Sequence, residues 1–386
     1  MSLNKKIQNI VIGLDTKLNQ LKILRNFGSS HKKLTVEHLA YEPDLHQNNL
    51  FDLLDSLLAY HLSQNPGHML DGFVVLPNHF VFTQLIELPL MPSSRLAAAL
   101  NAEIARICPQ NEDYASTVTQ VSKTKTNVQF FVALVQQQVL DDCIKACKKN
   151  GINLRGISYS ANCTINSFNA LSGAKLQDFM FLDVQEKQSV LSYCTQGKTT
   201  TFFTLPIGQN FLSSTQKNVL ANFKKNHYAQ KEVFGAMGVN AYNVTFAGST
   251  VSEIEKNAFQ HFKNTFLNNQ IAQEEFVFSQ QPSQSQLSAN FGVLVRYISA
   301  ANQFAQLQGL PIPQTTVVNL PKNLSPALSG QASDVSLSLL KDHLTEKCLI
   351  TDYLDLYGAL FINTYNKTQN FQTKVKGKTQ PKKASV

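Results

Sequence analysis

Two blocks of the chain share one pattern of apolar and polar positions. Asn9–Leu14 (NIVIGL) is an apolar run closed by Asp15, and Leu21–Arg25 and Leu34–Leu39 follow as strand-like runs. Phe179–Leu182 is again an apolar run, closed by Asp183. Ser189–Cys194 follows after a polar turn, and Gln196-Gly197-Lys198 makes a tight turn into Thr200–Ile207, rich in the Thr and Phe that strands favour. In each block a buried strand opens into a turn at a carboxylate, a place from which a rigid sheet can present a side chain to a ligand. The plainer reading of Asp15, a turn residue at a strand end, stands beside it. The repetition implies two related halves, with Asp15 and Asp183 facing each other across one cleft.

The intervening pattern is mixed. Phe51, Leu54, Leu58 and Leu62 fall on one face of a helix that Asn65-Pro66-Gly67 ends. An apolar run at Gly72–Pro77 and a strand at Val81–Leu88 come next. A helix opens at Ser93-Ser94-Arg95, carries Leu96, Leu100, Ile104 and Ile107 at helical spacing, and stops at Pro109. Ser116–Val121 and Val128–Val135 read as paired strands, and Gln138–Asn150 as a helix capped by Gly151. Residues 73–159 thus form an inserted α/β module. Further on, a polar helix near Ser213–His227 precedes a strand, Tyr242–Phe246, that leads into Ala247-Gly248-Ser249 and a capping box, Thr250 to Glu253. Ser279–Ser288 reads as a polar loop, Phe291–Phe304 as a helix with Leu294 and Ile298 inward, residues 306–334 as irregular, and Val335–Tyr365 as helical. The expected organisation is a first half at 1–72 plus 160–178, the module at 73–159, a second half at 179–307, an irregular and helical extension at 308–370, and a basic tail at 371–386.

With 386 residues there is room for two domains or more, each with its own core. The net charge of +8 owes much to Lys374–Lys383, which holds five lysines and no acid. Basic residues and aromatics interleave nowhere else, so nucleic acid is not an expected partner. The apolar stretch Cys348–Tyr365 is interrupted by Asp352 and Asp355, and no run of ~20 apolar residues encodes a span. The N-terminal MSLNKKIQN lacks an apolar signal core. Any membrane association is therefore expected to be peripheral. Cys143 and Cys147 are four apart on a helix, the spacing of half a metal site, but no second pair matches and they read as an apolar helix face. The six cysteines form no CxxC and suit a reducing compartment.

Three motifs stand in order: Gly13-Leu14-Asp15 with Leu21-Lys22 across the turn, Asp183 with Gly208 closing its meander, and strand, Ala247-Gly248-Ser249, helix. Between the first two lies the module with Val75-Leu76-Pro77, Glu87-Leu88-Pro89 and Asn150-Gly151-Ile152. This succession, over about residues 9–307, resembles the PilM proteins of bacterial type IV pilus assembly, which are actin-like and similar to the division protein FtsA. It also resembles the cytoplasmic part of the GspL subunit of type II secretion. The resemblance implies an α/β actin-like (ribonuclease H-like) fold of two halves with an FtsA/PilM-type insertion. Its nucleotide cleft would fall at Asp15, Lys17, Lys22, Asp183, Gly208 and Gly248.

The departures from that family concern glycines. Its first turn reads GLDIGSSSVK, against GLDTKLNQLK here, so Lys17 stands at the turn glycine. Asp-x-Gly becomes Asp183-Val184-Gln185, and the paired glycines become Gly208-Gln209 and Gly248-Ser249. Such glycines let backbone amides approach phosphate, and a Cβ there obstructs them. Asp15 and Asp183 retain the chemistry to hold Mg²⁺ through water, and Lys17 could supply a charge for lost amides. The expectation is a non-hydrolysing scaffold with no cofactor, ATP and Mg²⁺ being the alternative. No other catalytic set stands out: the nine histidines are scattered without HExxH, and no GxSxG occurs.

The resemblance further implies a place in the cytoplasm at the inner-membrane face. The partner would be the cytoplasmic segment of a PilN-like inner-membrane protein, with an assembly ATPase or platform protein as a second one. An active actin-like ATPase and a filament-forming actin homologue are the competing readings. Val317-Val318-Asn319-Leu320-Pro321 resembles the short Asn-Leu-Leu-Pro peptide with which PilN engages PilM. It reads either as a strand ending at proline or as a segment occupying a groove.

Overall fold

The computed structural model describes residues 8–15, 20–26, 34–40, 50–64, 70–108, 113–172, 176–213, 284–321, 324, 336–343 and 353–360. The chain divides into two compact units, Met1–Cys163 with Ala359–Val386, and Thr164–Gly358.

The first unit is built on β1 (Gln8–Asp15), β2 (Gln20–Asn26) and β3 (Leu34–Ala40), an antiparallel meander. Helix α1 (Leu50–Ser63) leads to β4 (Leu70–Leu76), which lies parallel to β1, with Gly72 opposite Ile10 and Val75 opposite Gly13. A three-stranded excursion follows: β5 (Phe82–Pro89), helix α2 (Ser93–Ile107), β6 (Tyr114–Lys123) and β7 (Asn127–Gln136). Helix α3 (Gln137–Lys149) returns the chain to β8 (Ile152–Tyr159), parallel to β4, and α4 (Ser160–Leu171) begins there. The sheet order is β3-β2-β1-β4-β8. Ile10, Val11 and Ile12 are buried on both faces of the central strand, as the unbroken apolar run requires.

The second unit repeats this plan. Its meander is β9 (Phe179–Val184), β10 (Ser189–Thr195) and β11 (Lys198–Leu205). After the short helix α5 (Gln209–Leu212), the described chain resumes in α6 (Gln284–Leu307) and continues into β12 (Thr315–Asn319) and β13 (Ser336–Leu339). Helix α7 spans Leu354–Ala359. The order β11-β10-β9-β12-β13 has the same antiparallel and parallel steps as the first sheet. Phe168, Phe179, Phe181 and Val317 form its core with Leu340 and Leu354. Gln196 and Gly197, at φ +52° and +71°, make the turn between β10 and β11, a geometry that matches strand twist and favours glycine.

Four readings differ from the sequence expectation. The insertion is smaller than 73–159, because β4 and β8 pair within the first sheet and α3 packs on α1 and β8. An apolar run such as Phe73-Val74-Val75-Leu76 suits a buried strand of either sheet, so its sequence does not assign it. What remains is the sheet β5-β7-β6 with α2 across it. Leu96, Leu100, Ile104 and Ile107 pack there on Ile86, Leu88, Val128 and Phe130, as their spacing predicts. The second half extends past residue 307 to take in β12 and β13. Among the described residues of the helix expected over Val335–Tyr365, Ser336–Leu339 is a strand, Leu340–Asp342 a 3-10 turn and Leu354–Ala359 the helix α7. Ser336-Leu337-Ser338-Leu339 alternates with period two, the strand signal that the surrounding leucines obscured. The polar loop at Ser279–Ser288 also gives way from Gln284 to the first turn of α6.

Candidate functional site

Asp15 ends β1 in the first unit. In the β1–β2 register it faces Gln20, while Lys22 faces Gly13, so Lys22 reaches Asp15 along the diagonal. The Lys22 Nζ to Asp15 Oδ2 distance is 2.6 Å, with both side chains about a fifth exposed. The carboxylate is thus neutralised by a cation from the neighbouring strand. Lys17 lies outside the described residues, as do Gly248, Ser249, the strand expected at Tyr242–Phe246, the helix expected near Ser213–His227 and the lysine tail.

Asp183 sits near the end of β9 in the second unit, and neutral amides hold both its oxygens. Asn319 Nδ2, at the matching end of β12, donates to Oδ1 at 2.8 Å. Gln185 Nε2 donates to Oδ2 at 3.0 Å. Gln185 is the residue where the family pattern has glycine, so the substituted side chain folds back onto the carboxylate. Gln188 Nε2 in turn donates to Gln185 Oε1 at 3.3 Å.

The turn that Gln185 opens is closed by the chain's own backbone. Gln185 N donates to Gln188 O at 2.9 Å, Gln209 N to Gln185 O at 2.8 Å, and Asn210 N to Glu186 O at 3.0 Å. Gln209 Nε2 adds a bond to Val184 O at 2.8 Å, and Ser189 Oγ one to Ile207 O at 2.5 Å. Gly208 makes this approach possible: a Cβ there would stand 2.4 Å from Gln188 N and 2.5 Å from Glu186 O. Its φ of −124° is open to any residue, so proximity and not backbone conformation selects glycine. The amides of Gln209 and Asn210 therefore point to turn carbonyls.

The sequence marks Gln185 only as the residue in place of a turn glycine and Asn319 only as part of the Val317–Pro321 segment, and it gives neither as a partner of Asp183. Asn319 ends a parallel strand directly beside Asp183, the edge where open α/β sheets place ligand contacts. The sequence reads this segment as a strand ending at proline or as a segment in a groove, without saying which strand it would lie beside. Val317-Val318-Asn319 forms the end of β12, a strand of the chain's own sheet, with Val317 and Val318 fully buried between β9 and β13, and Leu320-Pro321 follows outside it.

No metal-binding group of three or more His, Cys, Asp or Glu occurs among the described residues. Cys143 and Cys147 lie in the buried face of α3, and desolvation pushes the Cys143 thiol up and that of Cys147 to about 12. Among the described residues no helix is long and apolar enough to cross a membrane.

No family model matches this sequence, and no curated protein matches it. Among solved structures, the chain is similar to one of the "PilM-PilN type IV pilus biogenesis complex", with a TM-score of 0.53 at 13% identity, covering 92% of this chain and 97% of that one. The chain has an actin-like fold. Two sheets of equal strand order, each with a carboxylate at or next to the end of its first strand, agree with that finding. The cytoplasmic domain of EpsL from Vibrio cholerae gives a TM-score of 0.36 at 13% identity, covering 52% of this chain and 71% of that one. A Bacteroides thetaiotaomicron protein with an actin-like ATPase fold gives 0.34 at 10% identity, covering 68% and 90%. Scores at that level carry no further argument.

Proposed function

We propose that this actin-like chain is a scaffold of a type IV pilus or type II secretion machine, working by recognition and not by ATP hydrolysis. The observation that carries the reading is the closed turn of the second unit. Gln185 and Asn319 hold both oxygens of Asp183, and the amides of Gln209 and Asn210 are bonded to turn carbonyls. A nucleotide phosphate would have to displace several hydrogen bonds there, each worth about 1 kcal/mol net. The Lys22 ammonium on Asp15 likewise competes with a cation for the first carboxylate. The likeness to a PilM structure solved with PilN supports a partner of the same kind, the cytoplasmic end of an inner-membrane protein. The chain would then act on the cytoplasmic face of that membrane and pass contact on to an assembly ATPase or platform protein.

A thermal-shift comparison tests both parts. A ligand at about 100 times its dissociation constant adds about 2.7 kcal/mol to the folded state. A peptide with an Asn-Leu-Leu-Pro core from a PilN-like partner is expected to raise the melting temperature, and 5 mM Mg-ATP (on the order of cellular levels) to leave it unchanged. A shift with Mg-ATP and none with the peptide would replace the scaffold by an ATPase.

A further inference from the structure

Three side chains of the first unit join helix α1 to the β2–β3 hairpin. Arg25 lies on β2, Glu37 on β3, and His61 in the last turn of α1. Glu37 pairs with Ile23 and Thr35 with Arg25, so strand alternation sets Ile23, Arg25 and Glu37 on one face. His61 is fully buried and Arg25 is 7% exposed. Arg25 Nε donates to His61 Nε2 at 2.8 Å, and its Nη2 meets the same nitrogen. On the far side of the ring, Nδ1 stands 2.8 Å from Glu37 Oε2, whose side chain is 42% exposed.

This geometry fixes the state of the ring. Two guanidinium N–H groups aimed at Nε2 require a lone pair there, which puts the imidazole proton on Nδ1, towards the carboxylate. Burial opposes a second proton most strongly, the Arg25 charge opposes it next, and Glu37 favours it, with a net lowering below the ordinary histidine value. The charged groups acting on the ring are Arg25 from β2 and Glu37 from β3. Leu57 and Leu58, one turn back on α1, are uncharged.

We propose that Arg25, His61 and Glu37 form a proton-controlled latch that fastens the last turn of α1 to the β2–β3 hairpin. With His61 neutral, the ring accepts from Arg25 and the helix end is held. A proton on Nε2 replaces that acceptor with a donor, so N–H meets N–H and two cations touch in a buried site. The imidazolium retains Glu37, on the solvent side, as its partner and leaves Arg25. Because the folded-state affinity for this proton is depressed, the unfolded or opened chain takes it up first. The latch therefore contributes fully above the ordinary histidine pKa of ~6.5 and loses its contribution as pH falls below it. One proton linked to opening changes the opening equilibrium by up to about tenfold per pH unit.

Hydrogen exchange of the full chain by mass spectrometry, between pH 8 and pH 5.5 and corrected for the intrinsic rate, reads this directly. Protection of the last turn of α1 is expected to fall by about fivefold between pH 6.5 and 5.5, because the ring of the opened chain is already half-protonated at the upper pH. The His61→Gln variant keeps an amide oxygen for Arg25 and an amide N–H for Glu37 but cannot titrate, so its profile is expected to be flat. Equal slopes in the two proteins, or a flat profile in the unmodified one, would overturn the latch. If His61→Gln does not fold, NMR titration of His61 in the unmodified protein decides the matter: a pKa depressed below ~6.5 upholds the proposal, and one at or above it overturns it.

Discussion

Gly208 is the position where the closed turn is most exposed to test. A methyl group there meets backbone on three sides, 2.4 Å from Gln188 N, 2.5 Å from Glu186 O and 2.5 Å from Lys187 C. No side-chain rotation relieves such contacts, so the 185–188 turn must move away from the start of α5. That movement weakens the bonds from Gln209 N to Gln185 O and from Asn210 N to Glu186 O. Overpacking of this kind costs roughly 1–3 kcal/mol, and each weakened bond up to about 1 kcal/mol, so Gly208→Ala should destabilise the second unit by about 2–4 kcal/mol. Two other glycines separate this cause from general glycine effects. Gly292, in α6, has no atom within 4 Å of its Cβ position, and Gly292→Ala should stabilise by up to about 1 kcal/mol through helix propensity. Gly151, at φ +68° with equally open surroundings, should lose about 1 kcal/mol as alanine, from backbone conformation alone. Urea unfolding of the three variants, with hydrogen exchange across residues 185–210, measures the series. A Gly208→Ala protein within about 0.5 kcal/mol of the parent would refute the close approach, since that is the range of ordinary surface changes.

Leu100→Ala removes the most buried side chain of α2 from the inserted sheet and should cost roughly 2–5 kcal/mol in urea unfolding; a loss under 1 kcal/mol would mean that α2 packs elsewhere. Asn319→Ala leaves one oxygen of Asp183 without its amide donor and should cost about 1–3 kcal/mol, recovered in large part by pairing it with Asp183→Asn, a coupling that a double-mutant cycle measures. Cys143, Cys147 and Cys194 should resist alkylation in the native protein at pH 8, because burial holds each as a thiol, and react once denatured; mass spectrometry of native labelling checks this.

Much of the fold was legible because the two meanders are local. NIVIGLD and FMFLDV each announce a buried strand ending at a carboxylate, and the Gln196-Gly197 turn fixes the hairpin that follows. The helical spacing of Leu96, Leu100, Ile104 and Ile107 likewise identified the face that packs on the inserted sheet. Long-range pairing was not legible. Nothing in Phe73-Val74-Val75-Leu76 says that it lies beside β1, and nothing in Thr315–Asn319 says that it lies beside β9 across more than a hundred intervening residues. The apolar face of α1 was read through Phe51 and Leu62, whereas its buried residues include His61, polar by type and hidden by its pairing with Arg25. In the site, Asp15 and Asp183 were read as strand-end carboxylates, but the side chains that satisfy them come from neighbouring strands and turns. Only the register reveals Lys22 and Asn319 as those partners.

Calorimetric titration of the full chain with Mg-ATP tests the central claim most directly, beside the variant carrying Lys17→Gly and Gln185→Gly. The account predicts no saturable heat from the unmodified protein at millimolar nucleotide, because Gln185 and Asn319 hold Asp183 and the α5 amides are bonded to the turn. Binding gained only by the variant would support the steric reasoning. Saturable binding of Mg-ATP by the unmodified protein would contradict the account and restore an actin-like ATPase.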